Sequence, residues 1–414
     1  MNKIFREQAT FELWIIFIIK LITSLIFLID DLTFLLYCQY EYGMSPSEAG
    51  ILFCISALCL FTYGLTISGF IIDKWGIKMS LMLGLSLYAI AKFILIFADT
   101  RVQLYIVMVT IAPFGISIIF PCLVLGVKKL TFENARTQAY AFFFGATVLG
   151  AIFSGPIIDW IRHDYKYTTW HYTHHNDELD RDEDRVQEFS AWRTICFVGF
   201  CLNICMIILL CFYSREKEVR FLETDVDWDA IDKLTICEIF SDLFGDYKFW
   251  RFMLFSFVIV GPKLVFALLF FMLPRIIMQD QGEDAPFGIY ISIAPILILL
   301  FLWILSPYQA NYDAYDLILV GCTIATFGPI PMFFGVNMVD FIIFIVIISF
   351  AESVYSPMIN VFTFNFTKPG REGTFLTLTA APTYFTMAVT GLLGGYLLEN
   401  FYPAEEDETH HKQP

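Results

Sequence analysis

The sequence predicts an all-α integral membrane protein, a bundle of about eleven transmembrane helices in halves of six and five. Composition and one pattern predict it. Of 414 residues, 57% are hydrophobic and only 16% charged, where a soluble domain carries about a quarter charged residues. Apolar runs of 18 or more residues, each long enough to cross a bilayer, recur along the whole chain. None of them reads as the alternating ten-residue segments of a membrane barrel.

The expected spans, in order, are 11–38, 47–72, 78–98, 102–128, 135–162, 191–214, 248–278, 287–307, 314–336, 338–363 and 373–399. Two polar segments interrupt them. Residues 163–190 form a polar loop between spans five and six, and 215–247 an acidic linker that can hold a short amphipathic surface helix. The chain therefore divides into a six-helix half over 1–214, the linker over 215–247, a five-helix half over 248–399 and a polar tail over 400–414.

The first residues, "MNKIFREQATFELW", run into a long apolar stretch without a small-residue cleavage site, so no removable signal is expected there. Orientation follows from the cations. Lys3, Arg6, Lys74, Lys78, Lys128, Lys129, Arg136, Arg215, Lys217, Arg220, Lys233, Lys368 and Arg371 fall on the side of the N-terminus. The short loops of the other side hold little beyond Arg101 and Arg275. The positive-inside rule then places the N-terminus in the cytoplasm, or in the matrix of a mitochondrion. With eleven spans the C-terminus lies on the opposite side.

Several function classes are disfavoured at once. The net charge of −15 sits in loops and gives nucleic acid nothing to bind. Cys196, Cys201, Cys205 and Cys211 share one helix at spacings that build no metal site, and read as small packing residues. His163, His171, His174 and His175 lie among dense acids and read as a solvated loop or docking surface rather than metal ligands. No nucleophile–base set, phosphate loop or cofactor motif is present, so neither an enzyme nor a bound cofactor is expected.

The stretch "SGFIIDKWGIKMSLMLG" (68–84) carries Gly69, Asp73, Lys74, Gly76 and Lys78 in the turn after span two. With six spans, a linker and further spans, this turn resembles the signature gating loop of the major facilitator superfamily, although Ile77 stands where a cation is expected. Gly69 lets helices approach closely, Asp73 can cap the following helix, and Gly76 permits the tight turn. The segment "FAESVYSPMINVFTFNFTKPGREGTF" (350–375) is similar to span ten of peptide-transporter-like members: Glu352, Ser356 and Pro357 match, while Ala351 replaces a glycine. The family pattern has twelve spans where eleven are counted here. The second-half counterpart of the gating loop, "SPYQANYDAYDLILVG" (306–321), has lost its cations.

Charges inside spans are costly and mark functional sites. Lys20, Ser24 and Asp31 fall on one face of span one, with Asp30 and Asp31 expected near the outer surface. Lys92 lies in span three, and Lys263 in span seven beside Pro262. Ser349, Glu352, Ser356 and Asn360 form a polar stripe on span ten. In the family arrangement, spans seven and ten both line the central cavity, which makes a Glu352–Lys263 ion pair possible. A carboxylate buried in low dielectric exchanges a proton unless a cation holds it ionised. Ala146, Gly150 and Ser154 in span five repeat every fourth residue, a packing face for a neighbouring helix.

Two functions fit. The sparse polar lining, the missing span and the decayed second loop favour a transporter-derived scaffold, an accessory subunit held by the lipid bilayer and by other membrane subunits. A mitochondrial inner-membrane complex is one host. The alternative is an active carrier of a small organic solute of peptide, amino-acid or organic-anion type, proton-coupled through Glu352.

Overall fold

The computed structural model describes residues 10–131, 133–164, 168–176, 181–213, 244–245, 247–282, 284–309, 312–331, 338–364, 375–377 and 380–402. Among the described residues, nine helices are long and apolar enough to cross a membrane. One of them, Pro46–Phe97, is 52 residues long and turns back at Gly76, so it supplies spans two and three. The shorter apolar helix Ala314–Phe327 is span nine. The total is the eleven expected. Span one is Phe11–Tyr42, span four Arg101–Leu130, span five Glu133–Asp164 and span six Ala191–Cys211. Span seven comprises Tyr247–Val258 and Val260–Gln281, span eight is Phe287–Gln309, span ten Met338–Phe364 and span eleven Ala381–Phe401.

Local chemistry sets the turns. Span one starts on Thr10, whose hydroxyl accepts the Leu13 N–H at 3.3 Å. It ends at Gly43, whose φ of 58° suits a residue without a side chain. Span two opens two residues later with a reciprocal capping box between Ser45 and Glu48, and with Pro46 as its first helical residue. Thr100 and Gln103 repeat the box at the start of span four. These turns lie on the face opposite the N-terminus, where Arg193 at the head of span six also binds Glu41 at 2.9 Å and Asp99 at 2.8 Å.

Apolar burial does not by itself drive helices together in lipid, so close packing and polar contacts must. Span one is the central strut. Its Leu13, Ile16, Ile19, Ile26, Leu32 and Leu35 are almost fully enclosed by neighbours. Gly150 of span five lies against it so tightly that an added Cβ would sit 2.5 Å from the Leu21 carbonyl oxygen and 2.9 Å from the Leu25 nitrogen. Ala146 and Ser154 are buried on the same helix.

The loop expected at 163–190 contains structure. Strand β1 (Thr168–Asn176) pairs antiparallel with β2 (Arg181–Phe189), from Thr168 opposite Phe189 to Asn176 opposite Arg181. The sequence "TTWHYT" is rich in strand-forming Thr, Trp and Tyr, a preference that outweighed the polar character on which a loop was expected. The register puts His174 opposite Glu183 and His175 opposite Asp182. Among the described residues no group of His, Cys, Asp and Glu is placed to hold a metal. Nearly all of the linker, and with it the expected surface helix, lies outside the described residues, as does the tail beyond 402.

Candidate functional site

Asp30 and Asp31 sit deep rather than near the surface. They precede the end of span one by about eleven residues, roughly 17 Å at 1.5 Å per residue. Span three presents Tyr88 and Lys92, four residues apart and so on one helical face. Both donate to the Asp30 carboxylate. The Lys92 side chain is only 5% exposed.

This cluster lines a cavity inside the N-terminal half. The walls come from spans one, two, three, four and six, and the C-terminal half contributes Met387. Phe27, Phe34, Tyr37, Phe53 and Trp192 add aromatic rings to walls that are otherwise mainly aliphatic. Asp31 also faces the cavity, and it makes no hydrogen bond or ion pair with any described residue. Two π-helical turns, Gly64–Ser68 in span two and Val107–Ile111 in span four, flank the site. Such bulges re-aim side chains and recur at functional sites. Here the second one brings Met108 into the wall, and its Val109 carbonyl accepts the Tyr63 hydroxyl at 3.3 Å.

The other span-one residues do not join Asp31. Lys20 is buried away from the cavity, with its ammonium 4.8 Å and 5.0 Å from the ring centres of Phe120 and Phe143. Ser24 is buried against Gly150. Helical spacing predicts a shared face, but neighbours divide that face between two environments.

The C-terminal half holds a second polar centre. The hydroxyls of Tyr355 and Ser356 donate to the Glu352 carboxylate, the latter at 2.7 Å. Lys263 does not form the expected ion pair with Glu352; its ammonium donates to Thr383 of span eleven at 3.4 Å. Residues three and four positions along its own helix satisfy Glu352, so the pair is not needed to solvate it. Ser349 donates to the Ala294 carbonyl at 3.3 Å and thus packs against span eight. The side chain of Asn360 lies outside the described residues.

The gating-loop motif forms a clasp. Gly76 has φ 73° and ψ −180°, a backbone that side chains disfavour. Beyond it Lys78 donates to the carbonyls of Tyr213 at 2.8 Å and Cys211 at 3.3 Å, at the end of span six. A lysine there satisfies the last carbonyls of a helix. Lys74 lies 5.5 Å from the Phe70 ring centre. Gly69 is buried, and Asp73 completes the described motif.

The halves meet most closely on the face opposite the N-terminus, through two helix pairs. In the first, Gly155 of span five abuts Gly288 of span eight. A Cβ on Gly155 would lie 2.0 Å from the Gly288 carbonyl oxygen. In the second, Gly50 of span two abuts Gly391 and Gly395 of span eleven, where a Cβ on Gly50 would lie 2.3 Å from the Gly391 carbonyl oxygen. Each pair carries a carboxylate at a helix start. Asp159 accepts the N–H groups of Gly288 at 3.1 Å and Ile289 at 2.8 Å. Glu399 accepts the N–H of Ser47 at 3.0 Å. Arg162 adds a bond to the Ala285 carbonyl at 3.1 Å, and Arg275 one to Gln39 at 2.6 Å.

Two helical halves joined on one face, with buried charged centres, define a polytopic membrane protein of the transporter type. The chain belongs to the Major Facilitator Superfamily, whose family model matches residues 16–391. Solved structures share the fold. The nucleoside transporter NupG has a TM-score of 0.60 at 13% identity, over 93% of this chain and 92% of that one. A D-xylose–proton symporter has 0.63 at 14%, over 95% and 93%. A POT family transporter in complex with a thioalcohol-conjugated peptide has 0.60 at 14%, over 94% and 91%. No curated protein matches the sequence.

Asp30 and its partners Lys92 and Tyr88 are the functional candidates that the sequence least distinguished. Opposite charges in two spans were the available signal, but it does not say which spans are neighbours. Asp159 and Glu399 read as ordinary span-end acids.

Proposed function

We propose that the protein is a secondary carrier of a small organic solute. The observation that carries this reading is the cavity with its buried Asp30–Lys92 pair and the additional carboxylate of Asp31. Charges at membrane depth are costly and mark solute or proton pathways, and a purely structural bundle has no need of a carboxylate facing a cavity. The paired closures on one face suit a fold that rocks its halves about a central region. With the N-terminus inside, that closed face is the outer one. The similar structures carry a nucleoside, D-xylose with protons, or bind a peptide conjugate, which supports small-solute transport without selecting the solute. Asp31 and Glu352 are the candidate proton-binding groups.

One observation favours the second reading, an accessory subunit. The segment 306–321 has no cation, so the gating loop lacks its counterpart in the other half. Purification in mild detergent and reconstitution into liposomes decide between the two. Solute uptake by the isolated protein, driven by a proton gradient, establishes the carrier. Absence of uptake together with stoichiometric co-migration in a larger membrane complex, including one of the mitochondrial inner membrane, establishes the subunit.

A further inference from the structure

We propose that the cavity takes a monovalent organic cation with an apolar body, and that Asp31 is its counter-ion. This rests on the carrier reading and narrows it to a solute class.

The charges on the walls do not cancel. Asp30 and Asp31 supply two carboxylates, and Lys92 supplies one ammonium. Lys92 and Tyr88 are both committed to Asp30, so Asp31 supplies one negative charge in excess. The titratable groups that line the cavity with it are Asp30 and Tyr37 on its own helix, Tyr88 and Lys92 from span three and Cys196 from span six; Arg162 of span five lies 5.8 Å from the ring centre of the wall residue Trp192. Among the described residues, spans two, four and eleven present no charged residue to this cavity. An anionic solute would meet net repulsion, because Lys92, the one cation among the described wall residues, is already paired.

The lining then selects among cations. Small inorganic cations need several oxygen ligands. No group of three or more His, Cys, Asp and Glu that could hold a metal occurs among the described residues. Phe27, Phe34, Phe53 and Tyr37 instead line the cavity with apolar, aromatic surface, while the Trp192 ring is already stacked on Tyr40 and faced by Arg162. Cations over aromatic faces are attracted when desolvated. A single carboxylate set among aromatic rings fits an ammonium or phosphonium group carried on a hydrophobic body.

The same carboxylate can also take a proton. A protonated Asp31 that receives the cation S⁺ yields the ionised Asp31·S⁺ pair and releases one H⁺, so charge balances in the site. Proton and solute thus compete for one group, the logic of an exchanger.

The test is equilibrium dialysis of radiolabelled tetraphenylphosphonium against the purified full-length protein in detergent. Saturable binding is expected. Asp31→Asn should weaken it tenfold or more, and Asp31→Glu should retain it within about threefold. Binding to the wild type should weaken as pH falls, and the neutral triphenylphosphine oxide should not compete. The proposal is overturned by absent saturable binding, by an Asp31→Asn protein that binds as the wild type does, or by equal competition from the neutral analogue. If Asp31→Asn does not yield a monodisperse protein, the wild-type pH series decides, and pH-independent binding overturns the assignment. Liposome uptake separates the two levels of inference. Cation binding through Asp31 without uptake removes the carrier and leaves the site; uptake of an uncharged or anionic solute without cation binding removes the site and leaves the carrier.

Discussion

The carboxylate of Asp159 caps span eight by accepting the N–H of Gly288 at 3.1 Å, at the same place where Gly155, one turn earlier on span five, touches Gly288 backbone to backbone. Gly288 thus joins a charge at a helix N-terminus to a backbone contact between the halves. A helix N-terminus leaves its first N–H groups unpaired and carries partial positive charge. A carboxylate from the other half satisfies both, and only while that face is closed.

Replacing Asp159 with Ala should therefore loosen the face locally. Loss of a capping acceptor costs about 1–2 kcal/mol, which corresponds to roughly 5- to 30-fold faster amide exchange at Gly288 and Ile289. Hydrogen exchange followed by mass spectrometry reads this directly. Unchanged exchange would show that Asp159 does not hold the closure.

The glycines should differ sharply in tolerance. A Cβ at Gly145 meets nothing within 4 Å, while one at Gly155 meets backbone at 2.0 Å. Gly145→Ala should be neutral or stabilise by up to about 1 kcal/mol through helix propensity. Gly155→Ala should lower the melting temperature in detergent and reduce any uptake at least tenfold. Equal behaviour of the two variants would contradict the packing described.

The Asp30–Lys92 pair should show strong coupling. Removing one partner of a fully buried pair costs about 3–5 kcal/mol, because it strands the other charge; the Asp30 side chain is 25% exposed, so that range is an upper bound here. Asp30→Asn and Lys92→Met should each destabilise by up to such an amount, and the double variant by less than either alone. Thermal unfolding of the three proteins completes the cycle; additive effects would mean the two groups do not interact.

The clasp after span two yields a fourth expectation. Gly76→Ala must place a side chain at φ 73° and ψ −180°, at a cost of order 1–3 kcal/mol. Lys78→Met should cost about 1 kcal/mol per lost carbonyl bond. Both should free the end of span six, seen as faster exchange at Cys211–Tyr213.

The bundle was legible in the sequence because lipid imposes one rule: each span must be a long apolar helix. Gly76 was legible too, since Gly between Asp-Lys-Trp and Ile-Lys can only be a turn in so apolar a setting. What sequence spacing could not supply was neighbourhood. Lys20 and Asp31 share a helical face on paper, yet Phe120 and Phe143 from other helices enclose one while the cavity holds the other. Glu352 and Lys263 were matched by charge, but hydroxyls of its own helix claimed Glu352 and Thr383 of span eleven claimed Lys263. The strands at 168–176 and 181–189 were hidden by their many acids and histidines, although five of the nine residues of β1 are the strand formers Thr, Trp and Tyr.

The two glycine contacts between the halves use separate helix pairs, span five on span eight and span two on span eleven. A lid fastened at two points cannot swing while both hold. Release of one fastener converts the other into a pivot, and the halves then part obliquely, like a door on its remaining hinge. Lesions at Gly155 and at Gly391 should consequently open the same face along different axes.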